Sequence, residues 1–166
     1  IYADLEMQMS DIFLFGFAIR YEEFTDFGST FDGKFSTRII LTELLTLLGS
    51  VSTGFKAPTV GQSNVVNVTT AFSPDGLEDQ ATLPPTNAIS IQLGATPLRP
   101  EESVNTSFGI VGDIDKQFYF TLDYFNIKLN DRISTTSALS LSQGDIQALV
   151  DIGISEVASY GSAKYF

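Results

Sequence analysis

Three adjacent acidic pairs, Glu22/Glu23, Glu78/Asp79 and Glu101/Glu102, are the first candidates for chemistry, because a general acid and a general base are often two carboxylates. On a strand, neighbours point to opposite faces, and in a loop they are solvated, so the expectation for these pairs is no catalysis. Gly112-Asp113-Ile114-Asp115 has acids at alternate positions, as a calcium loop does, but lacks the remaining ligands and reads better as a turn. Asp26-Phe27-Gly28 has the letters of a kinase motif without its companion elements. Arg20 and Arg38 are placed to line an interior, where ion pairing is their ordinary role. The chain contains 0 His and no Cys, which removes disulfides, Cys/His metal sites and imidazole-assisted nucleophiles. No cofactor or metal is expected. A net charge of −11 argues against nucleic acid as a partner, since phosphate binding needs clustered Lys and Arg.

The elements that must position these residues have period two. Ile1, Ala3, Leu5, Met7 and Met9 alternate with Tyr2, Asp4, Glu6 and Gln8. After a turn at Ser10-Asp11, Phe13, Phe15, Phe17, Ile19 and Tyr21 share one face, with Gly16, Ala18, Arg20 and Glu22 on the other. Residues 25–33 supply turn chemistry, including Gly28 and Asp32-Gly33. Further strands are expected at about 34–43, 46–55, 102–111 and 117–130. In the last of these the phase slips: Phe118, Phe120, Leu122 and Tyr124 hold one face, then Phe125, Ile127 and Leu129 hold the other. A bulge, or exit from a bilayer, accounts for such a slip.

Between the fourth and fifth strands, 56–100 reads as a long irregular loop that holds Pro58, Pro74, Pro84, Pro85 and Pro97. Gln62, Asn64, Asn67 and Asn87 are its candidate ligand contacts, offering neutral hydrogen bonding; Gln80 and Gln92 offer the same. In the tail, Ser142 can cap a helix whose shared face is Ile146, Leu149 and Val150, with Gly153 ending it. No apolar run reaches the length of about 18 that a membrane helix needs. Alternation alone suits either a soluble β-sandwich that binds carbohydrate or protein, or a membrane barrel. Long aromatic faces opposed to Gly, Ser, Thr, Arg and Glu favour the barrel, since strands survive in lipid only in a closed barrel. Short turns alternating with long loops agree. Six such strands do not close alone, so a segment of a larger barrel is expected.

The stretch Gly49-Ser50-Val51-Ser52-Thr53-Gly54-Phe55-Lys56-Ala57-Pro58, followed by Gln62, resembles a signature of TonB-dependent outer-membrane receptor barrels. Lys56 stands where the family motif usually has Arg, a departure that removes bidentate bonding there. Arg20-Tyr21-Glu22 with Asp26-Phe27-Gly28-Ser29-Thr30, then Leu98-Arg99-Pro100-Glu101-Glu102-Ser103, then Asp123-Tyr124-Phe125 with Asp131-Arg132-Ile133, resemble neighbouring segments of the same family in order.

The resemblance implies an all-β antiparallel meander, a partial transmembrane barrel from the C-terminal part of a receptor, with long extracellular loops and a short loop helix. It implies residues 1–166 as one partial barrel domain without a plug or the closing strands. It implies a receptor of the Gram-negative outer membrane that binds a scarce nutrient, such as an iron–siderophore, cobalamin or a glycan, and imports it with TonB-coupled energy. The implied partners are the lipid bilayer, a small nutrient ligand, the receptor's own plug, and TonB through an N-terminal part that this chain lacks. The 25–33 and 56–100 loops would lie outside the cell, and the turns near Ser10, 42–46 and 112–116 in the periplasm.

Overall fold

The computed structural model describes residues 1–73, 76–114 and 118–166. Its strands are β1 (Tyr2–Gln8), β2 (Phe13–Phe24), β3 (Gly28–Thr42), β4 (Leu45–Lys56), β5 (Asn67–Ser73), β6 (Gly76–Thr82), β7 (Glu101–Ile114), β8 (Phe118–Asn130), β9 (Leu139–Ser140) and β10 (Tyr160–Lys164). Three helices, α1 (Val60–Asn64), α2 (Ala88–Gln92) and α3 (Gln143–Asp151), and a 3-10 turn, Ser155–Ser159, complete it. The chain forms two compact units: Ile1–Lys56 with Pro100–Arg132, and Ala57–Arg99 with Ile133–Phe166.

The first unit is a six-stranded sheet in the order β1-β2-β3-β4-β7-β8, each neighbouring pair antiparallel. Cross-strand partners share a face, so the ladder pairs trace each face residue by residue. One rung reads Phe13, Ile39, Leu47, Ile110, Leu122, and the next on that face Phe15, Thr37, Gly49, Phe108, Tyr124. Rings on this face meet across β2 and β3, Phe15 and Phe35 stacked with centroids 6.0 Å apart and Phe17 and Phe35 tilted at 4.9 Å. The opposite face carries Gly16, Ser36, Ser50 and Ser107 on one rung, with the Ser50 and Ser107 hydroxyls 2.8 Å apart. On the apolar side, Phe17 is 46% exposed and Leu122 66%. None of the buried apolar residues of the described chain belongs to this sheet.

Two expectations change here. The 25–33 loop shrinks to a three-residue turn, 25–27, since β3 begins at Gly28 and pairs it with Phe24. Gly28 has φ +90°, the left-handed conformation that lets the turn close so tightly. The phase slip in β8 is not a bulge, because its ladder with β7 runs unshifted from Ile114↔Phe118 to Glu102↔Asn130. Phe17 lies on the rung of Phe35, Val51, Thr106 and Asn126, so one rung is apolar on β2 and polar on β8. Barrel strands tilt about 35–45°. A level membrane boundary therefore crosses successive strands at successively different rungs, and the apolar band drifts diagonally. That drift accounts for Asn126 and Lys128 on the outward face of β8, while Phe125, Ile127 and Leu129 lie on the opposite face.

The second unit replaces the expected irregular loop with folded elements. Its sheet has the order β5-β6-β10-β9, with β5–β6 a hairpin and β10 parallel to β6. The hairpin's connection, Pro74-Asp75, lies outside the described residues, as does Asp115-Lys116-Gln117 between β7 and β8. The chain's buried core sits in this unit: Ala81, Leu83, Ile89, Leu149, Val157 and Ala163. The tail helix forms as expected, with Ser142 at its N-cap and Gly153 at φ +92° after its end. Its inward residues are Leu149 and the half-buried Ile146, whereas Val150 is exposed.

Candidate functional site

The motif 54–58 sits where β4 leaves the sheet. Gly54 is backed by Ser103: a Cβ there would lie 3.1 Å from the Ser103 hydroxyl, which donates to the Gly54 carbonyl. Paired bonding between β3 and β4 stops at Lys34↔Ser52, although β3 runs on to Gly28 and β4 to Lys56. Beyond that point the Thr53 hydroxyl accepts from the Gly33 amide at 2.9 Å. Phe55 lies with its ring 5.6 Å from Phe24, edge-on, and the Arg20 guanidinium is 5.6 Å from its centroid. Phe24 in turn stacks on Phe27 at 4.5 Å. Lys56 pairs with Glu101 at 3.4 Å, a contact from an exposed ammonium to a mostly buried carboxylate. Ala57 and Pro58 then carry the chain out of the sheet towards Thr59, which caps α1. Each motif residue described here has a structural task.

Of the expected lumenal arginines, Arg20 is ion-paired, to Glu22 at 3.2 Å and Asp32 at 3.7 Å. Arg38 has no ion pair among the described residues. It borders a groove of about 310 Å³ on the polar face with Glu6, Lys34 and Ser36. The acidic pairs are divided as strand geometry requires. Glu22 and Glu23 sit opposite Thr30 and Ser29, and Glu101 and Glu102 opposite Lys56 and Phe55. Asp79 accepts from Thr70 at 2.9 Å. Asp26-Phe27-Gly28 spans the β2–β3 turn, and Gly112, Asp113 and Ile114 belong to β7.

The four loop candidates are not brought together by any direct bond between them. The Gln62 amide oxygen accepts from the Thr59 amide at 2.9 Å and hydroxyl at 3.0 Å, completing a capping box. Asn64 donates to the Val60 carbonyl at 3.1 Å. Asn87 is the N-cap of α2, accepting from the Ile89 amide at 2.9 Å. Asn67 opens β5 opposite Thr82, and no side-chain hydrogen bond engages it among the described residues. Gln80 donates to Ser162 and Gln92 to Asp145, each at 3.1 Å. Asp145 also accepts from the Ser142 hydroxyl at 2.5 Å. The Ser142 and Gln92 bonds hold its carboxyl below the ordinary value of 3.8.

A sheet of antiparallel strands that sets one continuous aromatic, uncovered face against a hydroxyl-rich face defines a transmembrane β-barrel wall. The family model described as TonB dependent receptor-like, beta-barrel matches residues 1–163, and the chain belongs to that family. Its proteins are transport receptors of the Gram-negative outer membrane, which sets aside the soluble sandwich.

Solved structures agree on the fold. The ferric enterobactin receptor of Pseudomonas aeruginosa, in complex with enterobactin, is 19% identical with a TM-score of 0.67, covering 84% of this chain and 19% of the receptor. The siderophore receptor PirA of the same organism is 18% identical with a TM-score of 0.62, covering 98% of this chain and 27% of the receptor. PirA from Acinetobacter baumannii is 19% identical with a TM-score of 0.63, covering 84% of this chain and 18% of the receptor. The chain thus spans about a fifth to a quarter of these receptors' length. No curated protein matches it.

Proposed function

We propose that this chain is a partial barrel, residues 1–166, of a receptor that binds a scarce nutrient at the cell surface and imports it with TonB-coupled energy. An iron–siderophore complex is the first substrate class to test, because the structural neighbours are siderophore receptors. The single observation that carries the reading is the family match over residues 1–163. The mechanism is binding and gated passage, without covalent chemistry. The bilayer contacts the face of Phe13, Phe15 and Phe17. A plug from elsewhere in the receptor contacts the polar face, where Arg38 and Lys34 have no ion pair among the described residues.

Gln62, Asn64, Asn67 and Asn87 remain the proposed ligand contacts, and Asn67 leads them because no side-chain hydrogen bond engages it among the described residues. Gly54, Phe55, Lys56, Ala57 and Pro58 serve the site as its anchor.

The test uses the full-length receptor in a strain lacking its own siderophore receptors, grown under iron limitation. Growth on a ferric siderophore that is lost on deletion of TonB supports the proposal. Growth that persists without TonB, or absent growth on every ferric siderophore supplied, contradicts it. An Asn67→Ala receptor should fold normally and bind the active siderophore less tightly.

A further inference from the structure

The sheet of the second unit has two unlike edges. β9 is two residues long, which leaves little backbone for another strand to pair with. β5 is seven residues long, and among the described residues its backbone bonds only to β6. Its ladder runs unshifted from Asn67↔Thr82 to Ser73↔Gly76, so no bulge twists the free edge away. Its sequence, Asn-Val-Thr-Thr-Ala-Phe-Ser, holds no charge and no proline, the other devices that keep an edge strand single. The free side of β5 is thus a row of backbone donors and acceptors on which another strand can add. The side chains of the same hairpin carry a second signal. Val68 pairs with Ala81, which is fully buried, so the two lie on the core side of this sheet. Farther along the ladder Phe72 and Leu77 share that side, yet they are 90% and 65% exposed, and Val68 itself is 43%. The apolar side of the hairpin outruns the core of its own unit.

We propose that β5 pairs antiparallel with β5 of a second copy of this chain, about a two-fold axis at Thr70. A two-fold contact needs a surface that complements itself, and this strand does. In that register Thr70 meets its own counterpart, and Val68 of each copy lies directly opposite the partner's Phe72. Each exposed ring gains an apolar neighbour, and the apolar sides of the two hairpins become continuous. Because β5 carries no charge, the symmetry sets no like charges against each other. A single strand pair falls short of the roughly 1,200 Å² that stable interfaces bury, so the contact is a weak one and is best seen by trapping it. It does not depend on which nutrient the receptor binds.

The test traps the pair as a disulfide in the full-length receptor, freed of any other cysteine and kept in its native membranes. Directly opposed residues of an antiparallel pair have Cβ atoms about 4.5–5.5 Å apart, and bridging needs such closeness. On mild oxidation, Thr70→Cys receptor should run as a disulfide-linked dimer. Val68→Cys and Phe72→Cys receptors expressed together should cross-link to each other. Val68→Cys alone should not, because the two-fold sets its two copies about 14 Å apart along the strands. Thr70→Lys places two ammonium groups opposite each other and should abolish the Val68–Phe72 cross-link. Ala148→Cys, exposed on α3, is the control and should give no dimer. A Thr70→Cys receptor that stays monomeric overturns the proposal whether or not its thiol reacts with a maleimide. A reactive thiol would mean a free edge, and an unreactive one an edge covered by another segment of the same receptor. Cross-linking by Val68→Cys alone, by Ala148→Cys as readily, or undiminished by Thr70→Lys would overturn it as well.

Discussion

At the scale of single residues, two of the four side chains that looked most like ligand contacts, Gln62 and Asn87, take part in helix caps. Thr59 with Gln62 three residues later is a capping-box spacing, and Asn87 follows Pro84-Pro85 as a helix opens, so both roles had a sequence signal. What hid it was the shortness of α1 and α2, five residues each, which leaves no apolar period to announce a helix. Ser142 was legible because α3 is longer and carries one. Its partner Asp145 makes a pH prediction. The group's pKa is lower in the folded chain than its ordinary 3.8. Its contribution to stability is therefore fully present above that value and is lost as the pH falls through the folded pKa. Amide exchange across 143–151 in the full receptor should rise selectively on acidification below about pH 4. An Asp145→Asn variant should show a flatter local response. A response unchanged by that substitution would remove Asp145 from the account.

At the scale of elements, the sheet of the first unit was readable strand by strand, because period two makes an apolar face visible on its strands, with β8 changing face part-way. The second unit was not. Asn67–Ser73 alternates weakly among Asn, Val and Thr, and β10 is five residues that become a central strand only by lying between β6 and β9. That pairing joins residues far apart in sequence, such as Ala81 with Ala163, and no local pattern encodes it. The free edge of β5 was equally invisible, since it depends on which strands pair. The assignment of faces makes its own prediction. Phe15→Arg places a charge on the apolar face and should cost about 2–4 kcal/mol if that rung is near the bilayer midplane. Ser36→Arg, on the polar face, should cost far less. Gly16 is a poorer control, because a Cβ there would meet the Ser36 hydroxyl at 2.6 Å. Equal costs in a refolding titration of the full receptor into lipid would refute the assignment.

At the scale of the whole molecule, the central claim is that the sheet is a wall between lipid and a wet interior. The diagonal drift of its apolar band, from β2 to β8, is what tilted strands in a level bilayer require. The most direct measurement uses the absence of cysteine from these residues. Nitroxides are attached at single cysteines through 104–111 on β7 and 118–125 on β8 of the full receptor in lipid vesicles. Collision with oxygen, which concentrates in lipid, is compared with collision with a water-soluble nickel complex. The account predicts oxygen maxima at Phe108, Ile110, Leu122 and Tyr124, and nickel maxima at Ser107, Gly109, Thr121 and Asp123. Uniform access to nickel on both faces, or maxima on the opposite set, would contradict it.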